Sequence, residues 1–365
     1  MRAAMFSTQL RGGAQRIAIG RLVDQEVVFA AAWHLGAVIA FELDGGIADI
    51  LTVPGVGVSA VAVDHRRVYW TNGETGCVGW QEPLLSTGET LASGLQMPSD
   101  LAVDASHVYW CEFGPDGESD GGRVARCVRS GGAVEPLAVE LCRPIRLIHD
   151  QEAVYWITMH SIERFDKASG KIEVLIDDLP WEHRDIVRHG DHLYWSASGG
   201  LTEGGGALHR FDLRTRENHC LISHVNNPTG LAISGERLVW AFNGTAANRR
   251  RDGAIYTSAL DGTDIRTIAE HQSSPQGVRA TTNVIAWTTA HGISVAKLSR
   301  GVPAANAPAE EAYSMARATP KRATAKKGAA AKKSAAAKRP NAEKDRSAAK
   351  RAKKPVAAKP VAKKK

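Results

Sequence analysis

Gly94–Glu112 reads GLQMPSDLAVDASHVYWCE, the pattern of two strands joined by a tight turn. Leu101-Ala102-Val103-Asp104 alternates towards a short polar break, and Val108-Tyr109-Trp110 follows as a strand of β-branched and aromatic residues. Outward from this stretch the phrase recurs as Val68-Tyr69-Trp70, Val154-Tyr155-Trp156, Leu193-Tyr194-Trp195, Leu238-Val239-Trp240 and Ile285-Ala286-Trp287, with a weaker Val27-Val28-Phe29 ahead of them. The closing aromatics at positions 29, 70, 110, 156, 195, 240 and 287 are 41, 40, 46, 39, 45 and 47 residues apart. That period belongs to a four-stranded propeller blade.

Other features repeat in step. Pro98, Pro144, Pro228 and Pro275 each lie 12 residues before their Trp, while Pro54 and Pro180 lie 16 and 15 before theirs, as loop insertions would produce. A Gly-containing loop and a third strand follow each aromatic phrase, as in Gly122 to Val128 and Gly253 to Leu260, and turns such as Asp261-Gly262 lead into a fourth. The fold class expected is all-β, a β-propeller of seven four-stranded blades; six blades with an irregular first unit is the alternative. The seventh unit stops at its third strand near Leu298, so a segment near Met5 to Arg11 is expected to supply the missing outer strand and close the ring.

The phrases Gly94 to Glu112 and Gly253 to His271 (GAIYTSALDGTDIRTIAEH) resemble the repeats of YWTD- and NHL-type propellers, including bacterial ones, with their PxxLAVD…VYWT…GxIxRxxLDG pattern. The resemblance spans residues 1 to about 300 and implies a propeller; it specifies no activity.

The net charge of +7 conceals two unlike parts. Arg317 to Lys365 holds 19 Lys or Arg against Glu343 and Asp345, a net +17, leaving the rest at −10. Five cysteines, Cys77, Cys111, Cys127, Cys142 and Cys220, form no CxxC pair, which argues against a zinc or thiol-redox motif. Reduced, mostly buried thiols are expected; Cys111 and Cys127 could face each other across strands B and C of one blade, but a disulfide there is not expected in a reducing compartment. The first ten residues contain no apolar core of a leader peptide, and no apolar run reaches the 18 residues of a membrane-spanning helix. A monomeric protein without a transmembrane segment is expected in the cytoplasm, with association to the nucleoid as a further expectation.

Loops joining the fourth strand to the next blade, and the second strand to the third, meet at one mouth of a propeller channel, and this sequence places its insertions there. Glu182, His183 and Asp185 form the densest titratable cluster and are the candidate catalytic group. Glu74, Glu112, His160, Arg184, Asn226, Asn227 and Asn243 are the candidate ligand-binding residues. The sugar-lactone hydrolases, which have similar propellers, bind a divalent ion through Glu, Asn and Asp at such places; that likeness implies a hydrolase or lyase as the alternative function. No motif calls for a cofactor or a metal ligand set, and the alternative admits a divalent cation such as calcium at the mouth. The acidic loop after Trp110, with Asp116, Glu118 and Asp120, lacks the spacing of a calcium-binding EF-hand.

Three regions follow: a propeller over 1–300, a Pro/Ala linker over 301–320 and a Lys/Ala-rich tail over 321–365. The tail carries Lys321, Arg322, Lys326, Lys327, Lys332, Lys333, Lys338, Arg339, Lys350, Arg351, Lys353, Lys354, Lys359, Lys363, Lys364 and Lys365. Its charge and lack of apolar bulk predict intrinsic disorder. It resembles, by composition, the tails of linker histones and of bacterial histone-like proteins, which implies DNA or RNA as its partner. Flexible lysines neutralise phosphates without reading base edges, so binding without sequence specificity is expected. The function expected is a non-enzymatic propeller platform for an unknown protein or small ligand, tethered to nucleic acid by this tail.

Overall fold

The computed structural model describes residues 4–9, 16–22, 24–85, 87–115, 120–179, 183–199 and 204–298. They form seven four-stranded antiparallel blades, so the ring has seven units rather than six. With strands lettered A to D from the channel outwards, blade 1 is Ile17–Leu22, Gln25–Ala32, Ala37–Glu42 and Ile47–Thr52, and blade 2 is Val58–Val63, Val68–Asn72, Cys77–Glu82 and Thr87–Ala92. Blade 3 is Pro98–Val103, His107–Glu112, Gly122–Val128 and Glu135–Leu141; blade 4 is Arg146–His149, Ala153–Ile157, Ile162–Asp166 and Ile172–Ile176. Blade 5 is His183–His189, His192–Ala197, Gly206–Asp212 and Asn218–Val225, and blade 6 is Pro228–Ser234, Arg237–Phe242, Gly253–Ala259 and Arg266–Gln272. Blade 7 takes strands A to C from Val278–Ala280, Val284–Thr289 and Gly292–Lys297, and its D strand is the amino-terminal Ala4–Gln9. Ala4 pairs with Lys297 and Gln9 with Gly292, which is the closure expected of this segment. Each A strand touches the next around the ring, and that of blade 7 touches that of blade 1.

The Tyr-Trp phrase has a simple packing reason. Neighbouring residues of a strand point to opposite faces, so one serves each flanking seam. Tyr69 packs in the seam between blades 2 and 3 with Trp110, Tyr109 with Trp156 in the next, then Tyr155 with Trp195 and Tyr194 with Trp240. Trp110, Trp156 and Trp287 are wholly buried. The protein therefore has a separate apolar core at each of its seven blade seams, and every blade has two partners. Blade 1 is offset by one residue: Val28 joins the seam to blade 7 and Phe29 the seam to blade 2. Val28 thus stands in the place of Trp, because a slip of one residue exchanges the faces of a strand.

The Asp that ends strand A in blades 2 to 4 acts as an electrostatic staple between blades. Asp104 accepts the turn amides of Ser106 and His107 at 2.8 Å each, the Tyr109 hydroxyl at 2.9 Å, and the ammonium of Lys167 from blade 4 at 2.6 Å. Asp64 binds Arg129 of blade 3 and the Tyr69 hydroxyl, and Asp150 binds Arg188 of blade 5 at 3.0 Å. Burial alone would raise the pKa of Asp104; Lys167, the two amides and Tyr109 hold it well below the ordinary carboxylate range. His189, Ser234 and Thr281 stand in the place of the Asp in blades 5 to 7.

Cys111 lies opposite Val124 and Cys127 opposite Val108, so the two cysteines do not face each other and both are free thiols. No helix among the described residues is long and apolar enough to cross a membrane. The linker and tail, 301–320 and 321–365, lie outside the described residues, as do Leu10, Arg11, Asp116, Glu118, Trp181, Glu182 and Glu203.

Candidate functional site

The channel opens at one end into a cavity of about 730 Å³ to which all seven blades contribute. Its wall is made by the starts of the A strands and by the B–C loops. Four D–A corners share one device there. Met97, Arg143, Asn227 and Ser274 immediately precede the repeated prolines, and all adopt left-handed backbone, with φ of 53, 49, 39 and 49°. The region is costly for residues other than glycine and clusters at functional sites. All four residues line the cavity.

Hydroxyls on the A strands latch each corner to its neighbour. Ser59 Oγ donates to the Pro98 carbonyl at 2.7 Å, Ser99 Oγ to that of Pro144 at 3.4 Å, and Thr229 Oγ1 to that of Pro275 at 3.0 Å. In blade 6 the same closeness is between backbones: a Cβ at Gly230 would sit 2.1 Å from the Gln276 carbonyl oxygen, so only glycine fits. The apolar part of the lining is Trp33, Met97, Phe113, Ile145 and Met159, and the Arg143 guanidinium lies 5.0 Å over the Phe113 ring. Cations come from Arg16, Arg143, Arg184 and Arg250. Among the described residues lining the cavity there is no Asp, Glu or His.

One residue further along the inner strands from Ser99, Ile145 and Arg184 lies a buried ion network. Arg146, 2% exposed, reaches Asp100 at 3.4 Å and Asp185 at 2.8 Å. Asp185, also 2% exposed, accepts the Leu231 amide at 3.0 Å and has Arg279 at 3.5 Å, while Asp100 accepts the Leu147 amide at 3.1 Å. Burial would raise the pKa of Asp185, but the guanidiniums of Arg146, Arg279 and Arg16 and the Leu231 amide hold it below the usual range. The network ties blades 3, 4, 5, 6 and 7 together beneath the mouth.

The expected site residues separate into three groups. Arg184, Asn227 and Asn243 line the cavity, and Asn243 Oδ1 accepts Ser274 Oγ at 2.8 Å and Arg250 Nη1 at 3.3 Å. Glu112 and Asp185 are buried in the framework: Glu112 accepts the Gln96 amide at 2.7 Å, Trp110 Nε1 at 2.9 Å and Arg123 Nε at 2.7 Å. Asn226 is buried and accepts the Gly204 amide, Glu74 is exposed on its loop, and His160 is part-buried with its amide on Thr158 Oγ1. Glu182 lies outside the described residues; His183 begins strand A of blade 5, its side chain outside the description. No three His, Cys, Asp or Glu converge among the described residues. Arg16, Arg143 and Trp33 line the cavity without having been singled out, since only ring closure brings them together. The Arg249-Arg250-Arg251 run was the visible sign of the fourth cation.

No family model and no curated protein sequence matches the chain. Among solved structures it is similar to a catalytically inactive virginiamycin B lyase from Staphylococcus aureus with quinupristin, at 15% identity over 82% of this chain and 100% of that one, TM-score 0.62. A streptogramin B lyase matches at 15% identity over 81% and 98%, TM-score 0.62, and hydrazine synthase of Kuenenia stuttgartiensis at 13% over 80% and 97%, TM-score 0.63. At these identities the likeness is one of fold, and the fold it supports is the seven-bladed β-propeller.

Proposed function

We propose that this propeller is a binding platform that takes a ligand at its channel mouth and is tethered to nucleic acid by its basic tail. The observation that carries the reading is the lining of the mouth: seven blades supply guanidinium, amide, hydroxyl and apolar groups, and no described carboxylate or imidazole. Such a wall holds a ligand while offering no described group that exchanges protons near neutral pH. Catalysis through Glu182, His183 and Asp185 is the competing reading. Against it, Asp185 is 2% exposed and committed to Arg146, which leaves it unsuited to act as a proton donor.

The tail's part rests on its charge, a net +17 between Arg317 and Lys365. Its test is fluorescence anisotropy of labelled duplex DNA with the full chain and with a chain ending at Glu311, at several salt concentrations. If ten phosphates are contacted, log affinity falls with log salt at a slope of about −9. Loss of binding on truncation supports the tether; equal binding by both chains, or a salt-independent affinity, refutes it.

A further inference from the structure

The cations of the channel outnumber their partners. On the inner strands Asp100 and Asp185 are matched by Arg146 and Arg279. Arg16 is additional: it lines the cavity and is a third cation acting on the same two carboxylates. Burial, with the Arg146 charge close by, draws its pKa down to about 10 against the opposing pull of Asp100 and Asp185. Arg16, Arg146 and Arg279 thus share two carboxylates, and the guanidinium in excess, held partly out of water, is a standing cost that an incoming anion would relieve.

Arg250 is the second such group. It reaches the cavity from the B–C loop of blade 6, where Arg249 and Arg250 both adopt left-handed backbone, with φ of 51 and 55°. Asp252 holds the loop in this shape, accepting the Thr245 amide at 2.8 Å, Thr245 Oγ1 at 2.7 Å and Asn248 Nδ2 at 2.7 Å. The Arg250 carbonyl takes the Ser274 amide at 2.7 Å. The carboxylate is thus occupied with the loop, and the Arg250 guanidinium meets a neutral acceptor, Asn243 Oδ1, at 3.3 Å. Beside these cations the cavity carries Trp33, Met97, Phe113 and Met159.

We propose that the mouth binds a small organic anion, its carboxylate or phosphate held by Arg16 and Arg250 and its apolar body by Trp33, Met97, Phe113 and Met159. This deepens, and rests on, the reading of the mouth as a ligand site. A cavity of about 730 Å³ is of the size that encloses a small molecule. Charge-assisted hydrogen bonds from guanidinium to a carboxylate or phosphate are the strong polar contacts such a wall can make.

The test is isothermal titration calorimetry of the full chain with phenyl phosphate, phenylacetate and the neutral benzyl alcohol. At least one anion is expected to bind, with the alcohol at least tenfold weaker. Arg250→Met and Arg16→Met should each weaken the anion at least tenfold, and Arg250→Lys should fall between; melting curves confirm that each variant folds. Because all these variants keep the basic tail, a loss of binding places the anion at the mouth. The preferred anion distinguishes carboxylate from phosphate. If the alcohol binds as well as the anions and the arginine variants bind unchanged, the proposal is overturned while the platform reading stands. Failure of all three probes to bind likewise overturns the anion proposal and leaves the platform reading standing.

Discussion

Replacing Arg146 by Met removes the cation at the centre of the inner network. The side chain is 2% exposed and its departure leaves Asp100 and Asp185 facing each other. Removing one partner of a buried ion pair costs about 3–5 kcal/mol, and Arg279, still 3.5 Å from Asp185, points to the lower end, about 3 kcal/mol. For a domain of this size about 2–4 °C of melting temperature is lost per kcal/mol, a fall of about 6–12 °C at pH 7. The deficit should shrink as the pH falls. In the wild type Asp185 titrates below its unfolded value, so its stabilisation is present above the unfolded pKa and is lost with acid. In the variant the same carboxyl is buried without its main cation and titrates higher, so acid relieves it. Urea denaturation of both proteins at pH 7 and pH 4.5, with calorimetric melting alongside, measures the gap. A gap below about 1 kcal/mol at pH 7, or one that widens in acid, refutes the reasoning. The double variant Arg146→Met/Asp185→Asn should recover more than half of the loss, because the amide oxygen can still accept the Leu231 N–H.

The staple at Asp104 predicts that Asp104→Ala destabilises by about 2–3 kcal/mol, as charge-assisted bonds to Lys167, Tyr109 and two amides are lost together from a part-buried site. Asp104→Asn should cost less, and the advantage of wild type over the Ala variant should fade progressively below about pH 4, where the carboxyl of the unfolded chain takes up a proton while the folded one still keeps its charge; urea midpoints across pH check both. Deleting residues 1–12 removes the outer strand of blade 7 and should lower the melting temperature by many degrees; an unchanged melting curve would contradict the role of that strand in closing the ring. Trp156→Ala empties a seam in which the indole is wholly buried and should cost about 3–5 kcal/mol, read from chemical denaturation.

The ring was legible because its packing is local in sequence. A Tyr-Trp pair serves two seams from two adjacent positions, so each blade carries a record of both neighbours within one strand. Blade 1 blurred that record: without a Trp, the alternation of Val27, Val28 and Phe29 left the face of each undecided, and the offset of one residue appears only in the packing. The mouth was legible in place and less so in composition. Asn227 and Asn243 stand in loops that any propeller turns towards its channel, and Arg184 stands at the start of an inner strand that opens on it. Glu112 and Asp185 look identical in sequence to solvated loop acids, and what makes them framework is partners as distant as Arg123, Arg146 and Leu231. Arg16 gives no local signal at all, since it gains its neighbours only when blade 1 meets blade 7.

The strand that completes blade 7 also sets an order of events during synthesis. Ala4–Gln9 is made before the other strands of the ring, and its partner Gly292–Lys297 follows roughly 290 residues later. At about 5–20 residues per second the first strand waits about 15–60 s for its mate. Through that interval the nascent chain carries an open edge at one end and an incomplete sheet at the other. The ring is therefore closed by pairing its first-made strand with its last-made one, and until the two meet each offers an open edge to a neighbouring chain.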